Sequence, residues 1–226
     1  MSKLFEVKND NKKIVISDDV PNLQVVYKSK LNSMPLQREK DFYGQYTQFI
    51  ASDIDAFVYI VGIDVSELPD GTYCFDGHET NGSTSIALNV FLPSKATSAV
   101  NPTVYGFGEP TKPTEHMTGI EIYDTISNWV VFTSKSGTQY PKVVKMSSET
   151  TDSFTIKKSP TIFANTGWVV GIDGPSPRKE YRASPKITKK GNTVTVQKYV
   201  TGDGYLSLSG GYDAYNWLVF ELLTIG

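Results

Sequence analysis

Apolar and polar residues alternate with period two along much of the chain. Thr193-Val194-Thr195-Val196-Gln197 and Tyr205-Leu206-Ser207-Leu208-Ser209 predict strands with one buried and one wetted face. Asp152–Lys158, with Phe154 and Ile156 alternating, predicts another. Phe57–Ile63 and Trp129–Phe132 are unbroken apolar runs, and Trp217–Leu223 is interrupted only by Glu221. Such runs fit strands covered on both faces, or strands at a contact between modules. Turns are marked at Asn9-Asp10-Asn11, Pro69-Asp70-Gly71, Asn81-Gly82, Ser136-Gly137, Lys190-Gly191-Asn192 and Gly202-Asp203-Gly204. No segment carries a helical period. Leu36–Ile50, the nearest approach, is polar, contains Gly44 and predicts one turn at most.

Composition agrees. The 226 residues include 21 Val, 15 Ile and 22 Thr against 8 Ala and 12 Leu. β-branched residues pack well on a pleated surface, whereas Ala and Leu favour helices. The balance excludes a helix bundle and argues against a doubly wound α/β fold. The length suits one large domain or two small ones.

Two is favoured by an internal echo. Phe5-Glu6-Val7 matches Ile120-Glu121-Ile122, and after a polar turn Ile14-Val15-Ile16 matches Trp129-Val130-Val131. Val25-Val26 then matches Val143-Val144, Tyr59–Asp64 matches Trp168–Asp173, and Ser85–Leu88 matches Thr193–Val196. The order is kept throughout. The expectation is an all-β chain of two tandem β-sandwich-like modules, 1–116 and 117–226, arising from an internal duplication. A single continuous sandwich of similar strands is the alternative.

The net charge of −2 conceals two blocks. Residues 41–94 hold eight acids and no Lys or Arg, while residues 135–198 hold twelve Lys and Arg against four acids. Opposed blocks can dock within one chain or between copies, or stand as two solvated faces. The interface candidates are Asp70, Asp76 and Glu79 on the acidic side. On the basic side they are Arg178, Lys179, Arg182, Lys186, Lys189 and Lys190. Residues 95–118, rich in Pro and Gly, read as a linker or an ordered arm presenting Tyr105 and Phe107. Gly171–Pro185 reads as a second such loop. Tyr105, Phe107, Tyr212 and Tyr215 are candidate glycan-contacting aromatics, because tyrosine offers a flat apolar face with a polar tip.

Reactive chemistry is sparse. One cysteine, Cys74, excludes an internal disulfide, and the histidines are His78 and His116. Cys74-Phe75-Asp76-Gly77-His78-Glu79 gathers metal-ligand types, but without ligand spacing, and reads as an acidic surface loop. Asp53 with Asp55, or Asp70 with Asp76, would be the carboxylate pairs of a glycosidase, and nothing selects between them. Gly106-Phe107-Gly108 lacks the strand-to-helix setting of a dinucleotide fingerprint. The basic stretch 178–190 lacks the aromatic interleaving of a nucleic-acid binder. Trp129, Trp168 and Trp217 sit inside apolar runs and read as core, each indole N–H bonded to backbone. No catalytic, cofactor or metal residue is assigned, and no cofactor is expected. The first residues lack a signal-peptide core, and no apolar run reaches bilayer length. Synthesis in the cytoplasm, no nucleic-acid partner and no membrane insertion are expected.

Ile120-Glu121-Ile122-Tyr123-Asp124 followed by Trp129-Val130-Val131-Phe132-Thr133-Ser134 resembles a group of β-rich proteins encoded among tailed-bacteriophage virion and tail genes. So does the N-terminal echo, Phe5-Glu6-Val7-Lys8-Asn9 with Ile14-Val15-Ile16-Ser17-Asp18. The resemblance implies a virion-associated structural role. The expected function is therefore a non-enzymatic virion component: a tail accessory, connector or decoration protein. It would form a homo-oligomer, dock on other virion or tail proteins, and reside in the virion tail after synthesis in the host cytoplasm. Binding of a host-surface glycan is the first alternative and a glycosidase the second.

Overall fold

The computed structural model describes the backbone of residues 6–8, 14–17, 23–31, 45–51, 54–79, 86–92, 101–110, 121–123, 130–133, 137–165, 169–173, 179–201 and 217–224. Side chains are described for 23–31, 54–73, 101–110, 137–165, 185–197 and 217–224. The first strands are β1 (Glu6–Lys8), β2 (Ile14–Ser17), β3 (Gln24–Lys30), β4 (Gln45–Ala51), β5 (Ala56–Asp64), β6 (Gly71–Glu79), β7 (Ile86–Leu92) and β8 (Thr103–Pro110). They continue as β9 (Glu121–Tyr123), β10 (Val130–Thr133), β11 (Gln139–Ser147), β12 (Thr151–Thr155) and β13 (Thr161–Asn165). The last are β14 (Val169–Asp173), β15 (Lys179–Lys190), β16 (Thr193–Thr201) and β17 (Trp217–Thr224). A 3-10 turn, Val65–Glu67, follows β5. The all-β expectation holds for the described residues.

Two sheets carry the fold. One runs β11-β17-β13-β5-β8-β3 and the other β12-β16-β15-β6-β7-β4, with β14 added along β15. All neighbours are antiparallel. The first sheet is curled, so its edge strands β3 and β11 lie alongside one another without laddering. Each sheet is continuous across residue 116, because β5 pairs with β13 and β6 pairs with β15.

The strand order reads as a palindrome. From the centre outward, the first sheet runs β5-β8-β3 on one side and β13-β17-β11 on the other. The second runs β6-β7-β4 and β15-β16-β12. The registers agree too. Val25, Phe107 and Ile60 lie in one cross-strand row, and Val143, Phe220 and Ile162 in the corresponding row. A β-bulge follows Val25 in β3 and Val143 in β11. The hairpins β1–β2 and β9–β10 share their pattern as well, each skipping one residue of the return strand, Val15 and Val131. The ungapped match of 14–16 to 129–131 is therefore one residue out, the extra residue falling in the turn. The match of Tyr59–Asp64 to Trp168–Asp173 fails. β5 is central in the first sheet, β14 lies in the second, and the positional counterpart of β5 is β13.

The central strands of the first sheet are buried on both faces. Val58, Val61, Ile63, Val104, Phe163, Trp217 and Val219 face the second sheet's Tyr73, Ile187, Val194 and Val196. Tyr105, Phe107, Ile162, Ala164 and Phe220 form a second cluster with Ile60 and Leu218. Double burial explains why β5 reads as an unbroken apolar run and β17 as one broken only by Glu221. The centre is tight. A Cβ on Gly62 would lie 2.6 Å from Ile162 Cγ2 and 2.9 Å from the Phe163 carbonyl oxygen.

Several loop expectations are corrected. Residues 103–110 of the supposed arm form β8, buried almost throughout. Gly171–Pro185 contributes to β14 and β15. Cys74–Glu79 belongs to β6, not to a loop. In each case Gly or Pro sits inside a strand. Pro185 is buried where β15 changes neighbour from β6 to β14, a point where no ladder N–H is needed. The alternating stretch Tyr205–Ser209, Trp129 and Trp168 lie outside the described residues, as do the turns at 9–11, 81–82 and 202–204.

Candidate functional site

A well-connected polar group lies where the two halves join. Asp64 ends β5, is 2% exposed, and caps the following 3-10 turn by accepting from Ser66 N at 2.9 Å. It also accepts from Ser66 Oγ and from the Thr161 amide of β13 at 3.1 Å. Ser66 Oγ lies 3.0 Å from Ser159 Oγ. Beside it, Glu67 accepts from Thr103 N at 2.6 Å, Thr103 Oγ1 at 2.9 Å and Lys30 Nζ at 2.7 Å. Burial pushes the Glu67 carboxyl up. The Lys30 ammonium and the Thr103 donors outweigh it and hold the group below the usual carboxylate range. These carboxylates spend their acceptors on scaffold donors. The arrangement is a clamp that ties the end of β5 and its 3-10 turn to β13, β8 and β3.

Two tyrosines carry the marks of the same burial. Burial, with the Asp64 and Glu67 charges, pushes Tyr105 up to about 12. Burial, repulsion and a 3.1 Å bond to buried Glu109 push Tyr59 up to about 12. At the other end, Lys145 Nζ donates to Asp152 at 2.7 Å and holds that carboxyl below its usual range, helped by the Ser153 amide. Lys145 also sits 5.5 Å over the Trp217 ring. Trp217 is fully buried, as expected, but its Nε1 has no hydrogen-bond partner, against the expectation of a backbone acceptor.

The sequence candidates scatter. Tyr105 and Phe107 are 2% and 0% exposed. They lie in the cluster under the curled sheet, Phe107 with its ring 5.0 Å from Phe220, and cannot serve as a glycan platform or an exposed arm. Asp70 accepts from Gly191 N at 2.9 Å, and Lys189 donates to the Leu68 carbonyl, both within the chain. Lys186 pairs in register with Cys74, and Lys189 with Gly71, so β6 of the acidic block and β15 of the basic block lie side by side. Lys190 is exposed. Asp76, Glu79, Lys179 and Arg182 lie on strands whose side chains are outside the description, and Arg178, Tyr212, Tyr215, His116 and Asp53 lie outside it altogether. Asp55 is exposed. Among the described residues, no group of three or more His, Cys, Asp or Glu is placed to hold a metal ion. No helix there is long and apolar enough to cross a membrane.

Sequence reasoning missed one surface. The exposed large apolar side chains of the described residues are Val143 (54%), Val144 (44%), Met146 (69%) and Leu223 (53%). Three belong to the edge strand β11, and Leu223 pairs with Tyr140 of that strand. The signal was the run Val143-Val144-Lys145-Met146 on a strand without alternating polar positions. Comparisons with family models, curated proteins and solved structures find no match.

Proposed function

We propose that this is a non-enzymatic structural protein of a bacteriophage virion. It would be a tail accessory, connector or decoration component that self-associates and docks on other virion proteins. Its halves, 1–116 and 117–226, are read as two copies of one ancestral β module joined through both sheets. The observation that carries the architectural part is the shared strand order of β3-β8-β5 and β11-β17-β13, with the shared register and bulge of β3–β8 and β11–β17, although β5 shifts register against β8 between Val58 and Ile60 where β13 runs on without a shift. Independent strands have no reason to repeat a bulge at the matched Val-Val step, whereas copies inherit it. The virion setting rests on the phage-like hairpin residues, now seen as β1–β2 and β9–β10. The placed carboxylates also suit a building part, since Asp64 and Glu67 tie strands together. Light scattering coupled to size exclusion, with mass spectrometry of virions from the genome encoding the chain, tests the reading. An oligomer and a virion-borne chain are expected. A monomer at every concentration, absent from the particle, overturns it.

A further inference from the structure

The second sheet turns a polar face to solvent. Val194 and Val196 of β16 and Ile187 of β15 are buried against the first sheet, so the residues between them face the other way. Register aligns those residues in rows across the strands. One row holds Ser153, Thr195, Thr188 and Thr72, a hydroxyl on each of four neighbouring strands. The Thr72 and Thr188 oxygens lie 3.1 Å apart. The next row holds Thr155, Thr193 and Lys190, all exposed. Beyond it the Ile156 amide donates to the Asn192 carbonyl at 2.8 Å, which holds the loop after β12 against the turn after β15. Lys157 and Lys190 therefore share one rim of the face. Both are exposed, and among the described residues neither makes an ion pair.

The charge of the strands agrees. β15 and β16 carry Lys179, Arg182, Lys186, Lys189, Lys190 and Lys198 against one acid, Glu180. Asp152, the acid of β12, is paired with Lys145, and Asp70 is turned to the Gly191 amide. The acids of β6, Asp76 and Glu79, lie across β15 from β16, so the cationic ground is the β16 side.

We infer that this face, over β12, β16 and β15, binds an acidic polysaccharide: a linear chain carrying carboxylate or sulfate groups among free hydroxyls. The inference goes beyond the virion reading and does not depend on it. Charge complementarity sets the sign of the partner. The hydroxyl rows set its kind. A threonine hydroxyl both donates and accepts, and so matches a sugar hydroxyl in either sense. The two rows hold no apolar or aromatic side chain. A protein partner finds no anchor to bury there, and a single-stranded nucleic acid finds no ring to stack on. Side chains recur about every 4.8 Å between strands and about every 7 Å along them, so an extended chain lying on the sheet meets hydroxyls repeatedly and ammonium groups at the rim. Each contact is exposed and weak, and affinity comes from their number along the polymer.

The test is the affinity of the full chain for immobilised polygalacturonate and dextran sulfate, with neutral dextran and duplex DNA alongside. Binding to the acidic polysaccharides that weakens as salt rises is expected, with none to dextran and less to DNA. Lys157→Glu combined with Lys190→Glu should lower the affinity about tenfold. Thr155→Val combined with Thr193→Val should lower it about threefold and leave the salt dependence unchanged, a result that a purely electrostatic contact does not give. All four positions are exposed, so the variants should keep the native melting transition. Failure to bind either acidic polysaccharide overturns the inference. So does undiminished binding in the lysine pair, which puts the contact elsewhere, or in the threonine pair, which removes the hydroxyl rows from it. Tighter binding to DNA overturns it as well, because the partner is then a nucleic acid. None of these outcomes decides whether the chain is borne in virions.

Discussion

Asp64 shows how a single residue sets the stability of the junction, and Glu67 how one holds β3 and β8 to the turn beside it. Asp64→Ala leaves the buried Thr161 amide without its acceptor and removes the turn cap, so a loss of about 2–3 kcal/mol is expected from denaturant unfolding. Glu67 has a lowered folded pKa, so its contribution is complete above its unfolded value of 4.5 and is lost as pH falls through the folded value. Stability should fall on acidification below about pH 4.5, and Glu67→Gln should flatten that fall while costing about 1–2 kcal/mol at neutral pH. The tyrosines act in the opposite sense. Tyr59 and Tyr105 have folded values of about 12 against an ordinary 10.0. Their contribution is complete below pH 10 and is lost as pH rises from 10 towards 12. Ultraviolet titration of phenolate should show late-ionising tyrosines that include Tyr59 and Tyr105, with the late phase merging into unfolding. Tyr59→Phe should lower the late-ionising amplitude by one tyrosine, and an unchanged late amplitude in that variant would contradict the assignment.

Strands were legible wherever one physical signal dominated. Thr193–Gln197 alternates because β16 buries Val194 and Val196 and wets Thr193. Phe57–Ile63 lacks alternation because the centre of the first sheet is covered on both faces. β8 was illegible for a local reason. Gly106 and Gly108 read as loop residues, yet here glycine lets strands approach, and a Cβ on Gly108 would lie 1.8 Å from the Phe57 carbonyl oxygen. Gly108→Ala must push β5 and β8 apart, and a loss of at least about 2 kcal/mol in unfolding free energy is expected. A neutral result would show that the strands separate freely there. Taking β8 for a loop also implied that Tyr105 and Phe107 were exposed, so the two glycines account for those two of the four glycan candidates. The Asp64 clamp was hidden for another reason. Its partner Thr161 is 97 positions away in sequence, and no local pattern announces a contact of that range.

The whole molecule joins its halves through two sheets, and this governs its unfolding. Separate sandwiches would melt separately. Sheets running through β5–β13 and β6–β15 couple the halves, so calorimetry should show one cooperative transition for the full chain, with equal calorimetric and van't Hoff enthalpies. Two resolved transitions would show the junction to be weak. The Gly62–Ala164 pair at the centre has a further consequence. Gly62 has no room for a methyl group, since its Cβ would lie 3.2 Å from that of Ala164 and closer still to Ile162. In an assembly of two identical chains, residues facing one another across a twofold axis must be the same: two glycines leaving a gap, or two alanines colliding. A single chain that carries both positions is released from that constraint. It can fit a small residue against a smaller one.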